Sequence, residues 1–395
     1  MPPVPDTAPA RARAVALAAI IVVAATCGAA VAMDAWNRHA PPIFASRPHP
    51  PLPQALVRFH ELRFDDLWGS LPIESPVFWA TDAAMRAWGT DYAAMMRGQI
   101  LWFALLAACA AWIGAMLAGA GGAAWSALVA ATLPLAYVGA LGFDDHLFNM
   151  AMTTFAVALL VASRGLRRWP LALAAGAACG ITFRYAFVPS NGLLVLGTAL
   201  CASSGFALHT LAEHQWRPLH AWRRVRLRWT TPEAIATRRG AVAWIVALGA
   251  SAFAFTRYNF VDLHYYTSEI EHGPATTIAD WFTQIPAYGA ILAAHLFSPV
   301  ATLAAAFGFW RLFRDRHDSR WVMAAWFVIP FVVLSLVVKK NAYYIYYAAV
   351  AAVPVAGYGL ARLDCGRLSW GPRATVTLLL VASMALAVLT RAAAP

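Results

Sequence analysis

Charge is scarce in this sequence. Only 12% of its 395 residues are Asp, Glu, Lys or Arg, while 61% are hydrophobic. A water-soluble domain carries roughly 25% charged residues, so a soluble globular protein is excluded. Acidic residues are the scarcer kind, 19 against 30 basic, which leaves a formal net charge of +11. In an apolar chain such an excess belongs to loops on the cytoplasmic side of a membrane, and it does not point to nucleic acid. Cysteine is sparse as well. Cys27, Cys109, Cys179 and Cys201 lie inside apolar blocks and Cys365 lies in a basic loop. None pairs by spacing, which excludes a disulfide framework and a zinc knuckle. No glycine-rich phosphate loop or nucleotide-binding domain is visible, which argues against a soluble enzyme using nucleotide sugars. Nor is there an internal repeat, or the inverted repeat common in transporters.

What the chain has in abundance is apolar blocks of about 18–22 residues, long enough to cross a hydrocarbon core roughly 30 Å thick. Backbone in lipid must satisfy its own hydrogen bonds, so these blocks are helices. The first block follows Arg11 and Arg13 and ends near small residues that imitate a cleavage site. Its run from Ala14 to Met33 exceeds the usual 7–15-residue signal core, so it reads as an uncleaved first span. The sequence predicts an all-α polytopic membrane protein with about eleven spans, at 13–33, 98–118, 122–141, 147–163, 169–187, 190–208, 240–256, 286–310, 321–338, 342–362 and 374–391.

Orientation follows from the arginines. Arg164, Arg167 and Arg168 follow the fourth span, and Arg217 to Arg239 follow the sixth. Arg311, Arg314, Arg316 and Arg320 separate the eighth from the ninth, and Arg362, Arg367 and Arg373 the tenth from the eleventh. These are alternate loops, on one side with Arg11 and Arg13. That side reads as cytoplasmic, with the N-terminus, in a bacterial inner membrane. The basic run is expected to meet anionic lipid heads. The chain reads as a single transmembrane domain over 1–395, without a soluble C-terminal domain. It includes a first periplasmic loop at 34–97, a basic cytoplasmic loop at 209–239 and a second periplasmic loop at 257–285. The stretch Pro76 to Arg97 is amphipathic: Phe78, Trp79, Ala83, Trp88 and Tyr92 suit lipid, while Asp82, Arg86 and Asp91 suit water. It is expected to form juxtamembrane helix in the interface plane.

Charged residues then collect on the predicted outer face. Asp34 closes the first span, and Asp144, Asp145 and His146 occupy the turn before the fourth. Arg184 sits near the outer end of the fifth. Lys339 and Lys340 precede the tenth, followed by Tyr343, Tyr344, Tyr346 and Tyr347. This layout suits a reaction at a lipid-linked phosphate. A sugar on a polyprenyl phosphate is activated by its leaving group; cations offset the charge that develops as the bond breaks, and a carboxylate accepts the acceptor's proton.

The sequence at this point resembles the C superfamily of membrane glycosyltransferases, especially the family 39 branch holding protein O-mannosyltransferases and lipid A aminoarabinose transferase. Asp34 stands where the family opens its first outer loop with an acid. The stretch 74–102, ESPVFWATDAAMRAWGTDYAAMMRGQILW, is similar to the family's juxtamembrane pattern of proline, aromatics, glycine and arginine through Pro76, Trp88, Gly89 and Arg97. The stretch 133–163 resembles the third span, acidic turn and fourth span. The stretch 339–360, KKNAYYIYYAAVAAVPVAGYGL, resembles a late helix with lysine, paired tyrosines and proline. The resemblance implies Asp34 as catalytic base, Asp144 or Asp145 as second acid, and Arg97, Lys339 and Lys340 as phosphate ligands. Arg184, Tyr343 and Tyr344 are further candidates for contact with the lipid phosphate. The implied partners are a polyprenyl-phosphate sugar donor, a lipid, glycan or protein acceptor, and membrane lipids.

Simpler roles stand beside these. Asp144 and Asp145 suit a helix N-cap, Lys339 and Lys340 suit snorkelling anchors, and the tyrosines suit an interfacial aromatic belt. Arg184 suits a partner for an outer-turn aspartate. No cofactor is implied with certainty. A divalent cation is compatible with His264, Glu269, Glu271 and His272, although their spacing fits no standard metal site. A transporter or flippase of lipid-linked glycans would need ionisable residues mid-membrane, which are nearly absent. A glycan polymerase or ligase would tend to place its main outer loop later in the chain.

Overall fold

The computed structural model describes residues 8–39, 76–89, 92–134, 146–185, 189–213, 215–218, 231–256, 286, 289–290, 297–335, 342–364 and 370–392. Among them every regular element is a helix: α1 (Ala8–His39), α2 (Pro76–Trp88), α3 (Tyr92–Ala131), α4 (His146–Ala162), α5 (Trp169–Tyr185), α6 (Pro189–Glu213), α7 (Pro232–Thr256), α8 (Pro299–Arg314), α9 (Arg320–Ser335), α10 (Ala342–Asp364) and α11 (Trp370–Ala392).

Each predicted span falls on one of these helices, with α3 carrying two. Forty residues rising 1.5 Å each would stretch about 60 Å, twice a hydrocarbon core. Instead the helix doubles back at Ala118 and Gly119, whose φ/ψ angles leave the helical region (−143°/24° and 64°/−151°). A Cβ on Gly114 would strike the Gly122 carbonyl, and one on Gly122 would strike the Gly114 carbonyl. Residues eight apart in a straight helix sit about 12 Å apart, so this contact requires a hairpin. Glycine supplies both the positive φ and the room for backbone to meet backbone.

Helix α10 is the axis of the bundle. Every residue from Ile345 to Leu360 is buried, and the helix packs on α3, α4, α6, α8 and α9. Small residues let the neighbours approach. Gly357 lies against the Ser126 backbone of α3, and Gly359 against the Ala304 carbonyl of α8, while Gly308 of α8 lies against the Val355 carbonyl. Helices in lipid gain little from hydrophobic burial against one another, so close backbone packing of this kind does much of the holding. The same device joins α5 to α7: Gly176 and Gly180, four apart, meet Trp244, Ala247, Leu248 and Ser251.

The outside of the bundle is apolar. Val15, Leu17, Ile20 and Val23 on α1, Val242, Ile245 and Val246 on α7, Val328 and Val333 on α9 and Leu378 and Leu386 on α11 are exposed. Such a continuous apolar exterior belongs in lipid. This is an integral membrane protein.

Two boundaries differ from expectation. The juxtamembrane stretch is not one helix to Arg97: it breaks at Gly89, φ +106°, whose N–H donates to the Met85 carbonyl at 2.9 Å. That is the left-handed residue that commonly stops a helix, and it turns Tyr92–Arg97 into the first turns of α3. Trp79, Ala83 and Trp88 are exposed as expected, but α2 also buries Thr81, Ala84 and Met85 and rests on Gly98 of α3. The eighth span is interrupted: residues 286, 289 and 290 are helical but Phe297 and Ser298 are not, and α8 starts at Pro299, where Ser298 caps it by accepting from the Ala301 N–H, and runs on to Arg314.

Candidate active site

The two ends of the bundle are chemically unlike. At one end the turns after α4 and α8, the end of α6 and the start of α7 gather around the α3 hairpin, with Arg164, Arg167, Arg168, His209, Thr237 and His317 on a common cavity. This is the basic end that the alternate-loop pattern anticipates.

The opposite end carries Asp34. The α1–α3 contact continues to the last turn of the span, where Met33 is fully buried, and it delivers Asp34 to Arg97. The Arg97 Nε donates to Asp34 Oδ1 at 2.7 Å, with both side chains about four-fifths buried. The second carboxylate oxygen accepts from Arg38, one turn further along α1. Arg97 also lies over the Trp88 ring, 5.2 Å from its centre. The guanidinium is thus held between α1 and α2. Charge-assisted, directional bonds of this type position a group more firmly than an isolated charge.

The same end brings α4 and α10 together. His146, the first residue of α4, packs edge-on to Tyr346 with ring centres 5.9 Å apart, and its Nδ1 is 3.5 Å from the Tyr347 hydroxyl. Asn149 Nδ2 donates to that hydroxyl at 3.3 Å. Trp102 of α3 meets Phe148 of α4 edge to face at 4.8 Å, which links this group to the helix of Arg97. Tyr347 is fully buried, so it is a hydrogen-bonding post between α10 and α4 and not part of an interfacial belt.

Of the predicted site residues, Asp34 and Arg97 are therefore brought into direct contact with one another. Asp144 and Asp145 directly precede α4, and Lys339 and Lys340 closely precede α10; these four lie outside the described residues, as does the 257–285 loop with His264, Glu269, Glu271 and His272. Arg184 is on the last turn of α5, and Tyr343 and Tyr344 are on the first turn of α10. Among the described residues no group of His, Cys, Asp or Glu is arranged to hold a metal ion.

Sequence reasoning missed Gln99. It lies two residues beyond Arg97, is fully buried, and neither its amide nitrogen nor its amide oxygen has a partner among the described residues. A buried amide left without partners costs about 1–3 kcal/mol, so such a group calls for a reason. A lone Gln in the otherwise apolar stretch GQILW was the available signal. Asn149 carried a similar signal in the apolar start of α4.

No protein-family model matches this sequence, and no curated protein matches it. Solved structures do. The crystal structure of ArnT from Cupriavidus metallidurans bound to undecaprenyl phosphate matches with a TM-score of 0.57 and 17% identity, covering 92% of this chain and 63% of that one. The apo state of the same protein matches at 0.54 and 17%, covering 83% and 57%. The Archaeoglobus fulgidus oligosaccharyltransferase tethered with an acceptor peptide matches at 0.49 and 13%, covering 95% and 55%. The chain spans about three-fifths of the ArnT length. What it shares with ArnT is architecture: an all-helical polytopic bundle.

Proposed function

We propose that this protein is a membrane glycosyltransferase that moves a sugar from a polyprenyl-phosphate donor to a lipid, glycan or protein acceptor at the end of the bundle carrying Asp34. With the basic end cytoplasmic, that end faces the periplasm of a bacterial inner membrane. The observation that carries the reading is the Asp34–Arg97 pair, largely buried at 2.7 Å, at the same end as the α4–α10 contact. A carboxylate and a guanidinium side by side are the two groups this transfer asks for.

In this mechanism the anomeric carbon–oxygen bond to the phosphate breaks, and its electron pair leaves with the polyprenyl phosphate. Arg97 holds the phosphate and offsets the charge that develops on it, assisted by Lys339, Lys340 and Arg184 and by the Tyr343 and Tyr344 hydroxyls. The acceptor heteroatom forms the new bond to the anomeric carbon, and its proton passes to a carboxylate. Asp34 is the base. Its two guanidinium contacts occupy one site on each oxygen, and a carboxylate has about four lone-pair positions, so it can still accept. Asp144 or Asp145 serves as the second acid. A general base of this kind is typically worth 10²–10⁴-fold in rate.

The test is turnover by purified protein in nanodiscs with a panel of undecaprenyl-phosphate sugars. Once a working donor is found, Asp34→Asn and Arg97→Gln should each lower turnover by at least about 10²-fold. Full activity in Asp34→Asn would overturn the base assignment.

A further inference from the structure

The basic end holds a cavity of about 1000 Å³ that the transfer reaction does not use. Its exposed rim carries Arg164, Arg167 and Arg168, and His209 and His317 also line it. Its floor is apolar: Trp112 and Met116 from α3, Leu171 from α5 and Phe206 from α6. A volume at the top of the range for small-molecule sites, cationic above and oily below, suits an amphiphile.

Three observations narrow the occupant. First, two of the arginines are uncommitted. Arg167 makes a 3.6 Å pair with Glu233, whereas Arg164 and Arg168 have no ion pair among the described residues. The acids on the rim are Glu213, which is paired with His209 at 3.2 Å, and Asp318.

Second, the arginine turn is strained and braced. Arg164, Gly165 and Leu166 all have positive φ (52°, 70° and 66°), in a region costly for residues with a side chain. Ser163 holds the turn: its hydroxyl accepts from the Leu166 N–H at 3.0 Å, and its carbonyl accepts from the Arg168 N–H at 3.1 Å. Gly240 of α7 packs on the Leu166 carbonyl, where a Cβ would collide. Strain maintained by its surroundings in this way often marks a working site.

Third, the turn lies at headgroup depth. Trp169 follows Arg168 directly, and Trp169, Trp216 and Trp310, at the ends of α5, α6 and α8, are all about half exposed. Tryptophans that ring one end of a membrane bundle mark the interface between hydrocarbon and water.

From these we infer that the cavity is a binding site for a phospholipid of the surrounding leaflet, its headgroup phosphate held by Arg164 and Arg168 and its upper chains lying on the Trp112–Phe206 floor. The site is separate from the Asp34 end and does not depend on the glycosyltransferase reading.

Protein delipidated in detergent and titrated with phosphatidylglycerol or phosphatidylethanolamine, with bound lipid counted by native mass spectrometry, tests this. Arg164→Gln with Arg168→Gln should weaken retention about thirtyfold, since each interfacial cation contributes about a factor of five. Arg314→Gln with Arg316→Gln removes the same charge from the same end outside the cavity and should leave retention within about twofold. Thermal unfolding of both double variants checks that each is folded. Equal loss in both pairs would overturn the proposal in favour of diffuse attraction to a basic face. Protection from thermal unfolding by glycerol phosphate as strong as by the phospholipid would overturn it in favour of a soluble phosphate.

Discussion

The Asp34–Arg97 pair has a structural cost that can be measured apart from any chemistry. Exposed ion pairs contribute about 0–1 kcal/mol, and breaking a fully buried one costs about 3–5 kcal/mol. With side chains 17% and 20% exposed, this pair lies between those limits, nearer the buried one, and a coupling energy of about 2 kcal/mol is expected. Asp34→Asn leaves Arg97 charged, largely buried and still over Trp88, so the single variant should lose about 2–3 kcal/mol, in line with a charged hydrogen bond. Arg38 is different: its side chain is 54% exposed and it pairs at i,i+4, so Arg38→Gln should cost no more than about 0.5 kcal/mol. The assay is a double-mutant cycle of Asp34→Asn and Arg97→Gln in mixed micelles, with stability read from unfolding in increasing SDS. A coupling energy under about 0.5 kcal/mol, or an Arg38→Gln loss equal to that of Asp34→Asn, would refute the view that this pair fastens α1 to α3.

Further outcomes are expected elsewhere. Gly114→Leu should destabilise the protein by well over about 3 kcal/mol, beyond usual overpacking, because its side chain would enter the Gly122 backbone; Gly28→Leu on the lipid side of α1, with nothing within 4 Å, should be near neutral in the same unfolding assay. Tyr347→Phe removes the hydroxyl shared by His146 and Asn149 and should cost about 1 kcal/mol; no change would mean that those contacts are incidental. Gln99→Leu should leave stability unchanged or raised, since it removes an unpartnered buried amide, while raising KM for a working donor about tenfold, the scale of one lost hydrogen bond; an unaltered KM would exclude Gln99 from the donor site. Burial, reinforced by Arg362, lowers the His317 imidazole below its usual value despite Asp318 and Asp315 nearby. The folded state therefore binds fewer protons at this group, its contribution is complete above about pH 6.5, and stability is lost as pH falls below that. His317→Gln should flatten that part of the pH–stability profile, and a profile unchanged by the substitution would contradict it.

Much of the fold was legible because the bilayer imposes a length and a polarity that leave few options. The break between the spans at 98–118 and 122–141 could be drawn before the hairpin at Ala118–Gly119 was seen, since one helix of that length has no place in a bilayer. What the sequence did not reveal was pairing. Gly176, Gly180, Gly308 and Gly357 read as ordinary small residues until their neighbours are known, since a notch is defined by the helix that fills it. Of the predicted site residues, the structure brings Asp34 and Arg97 together. That Asp34 and Arg97 bond to each other depends on the rotation of α1 against α3, which hydropathy does not encode. Gln99 escaped because a single polar residue in an apolar helix carries little weight until its burial is known. The single helix expected over Pro76–Arg97 failed at Gly89, where the local chemistry of one residue outweighed an amphipathic period continuing on both sides.

The glycine seam at Gly114, Gly122, Ser126 and Gly357 also limits how the molecule can move. Backbone pressed into backbone behaves like the teeth of a gear: sliding one helix along another by a single residue would bring a side chain into a space that admits only hydrogen. Axial translation of α10 is therefore blocked at that level, and the Asp315 carboxylate, which binds Arg311, Arg362 and the Tyr358 hydroxyl, rivets the adjoining end. The remaining freedom is a tilt, with the seam as fulcrum and the largest excursion at the Tyr347 end.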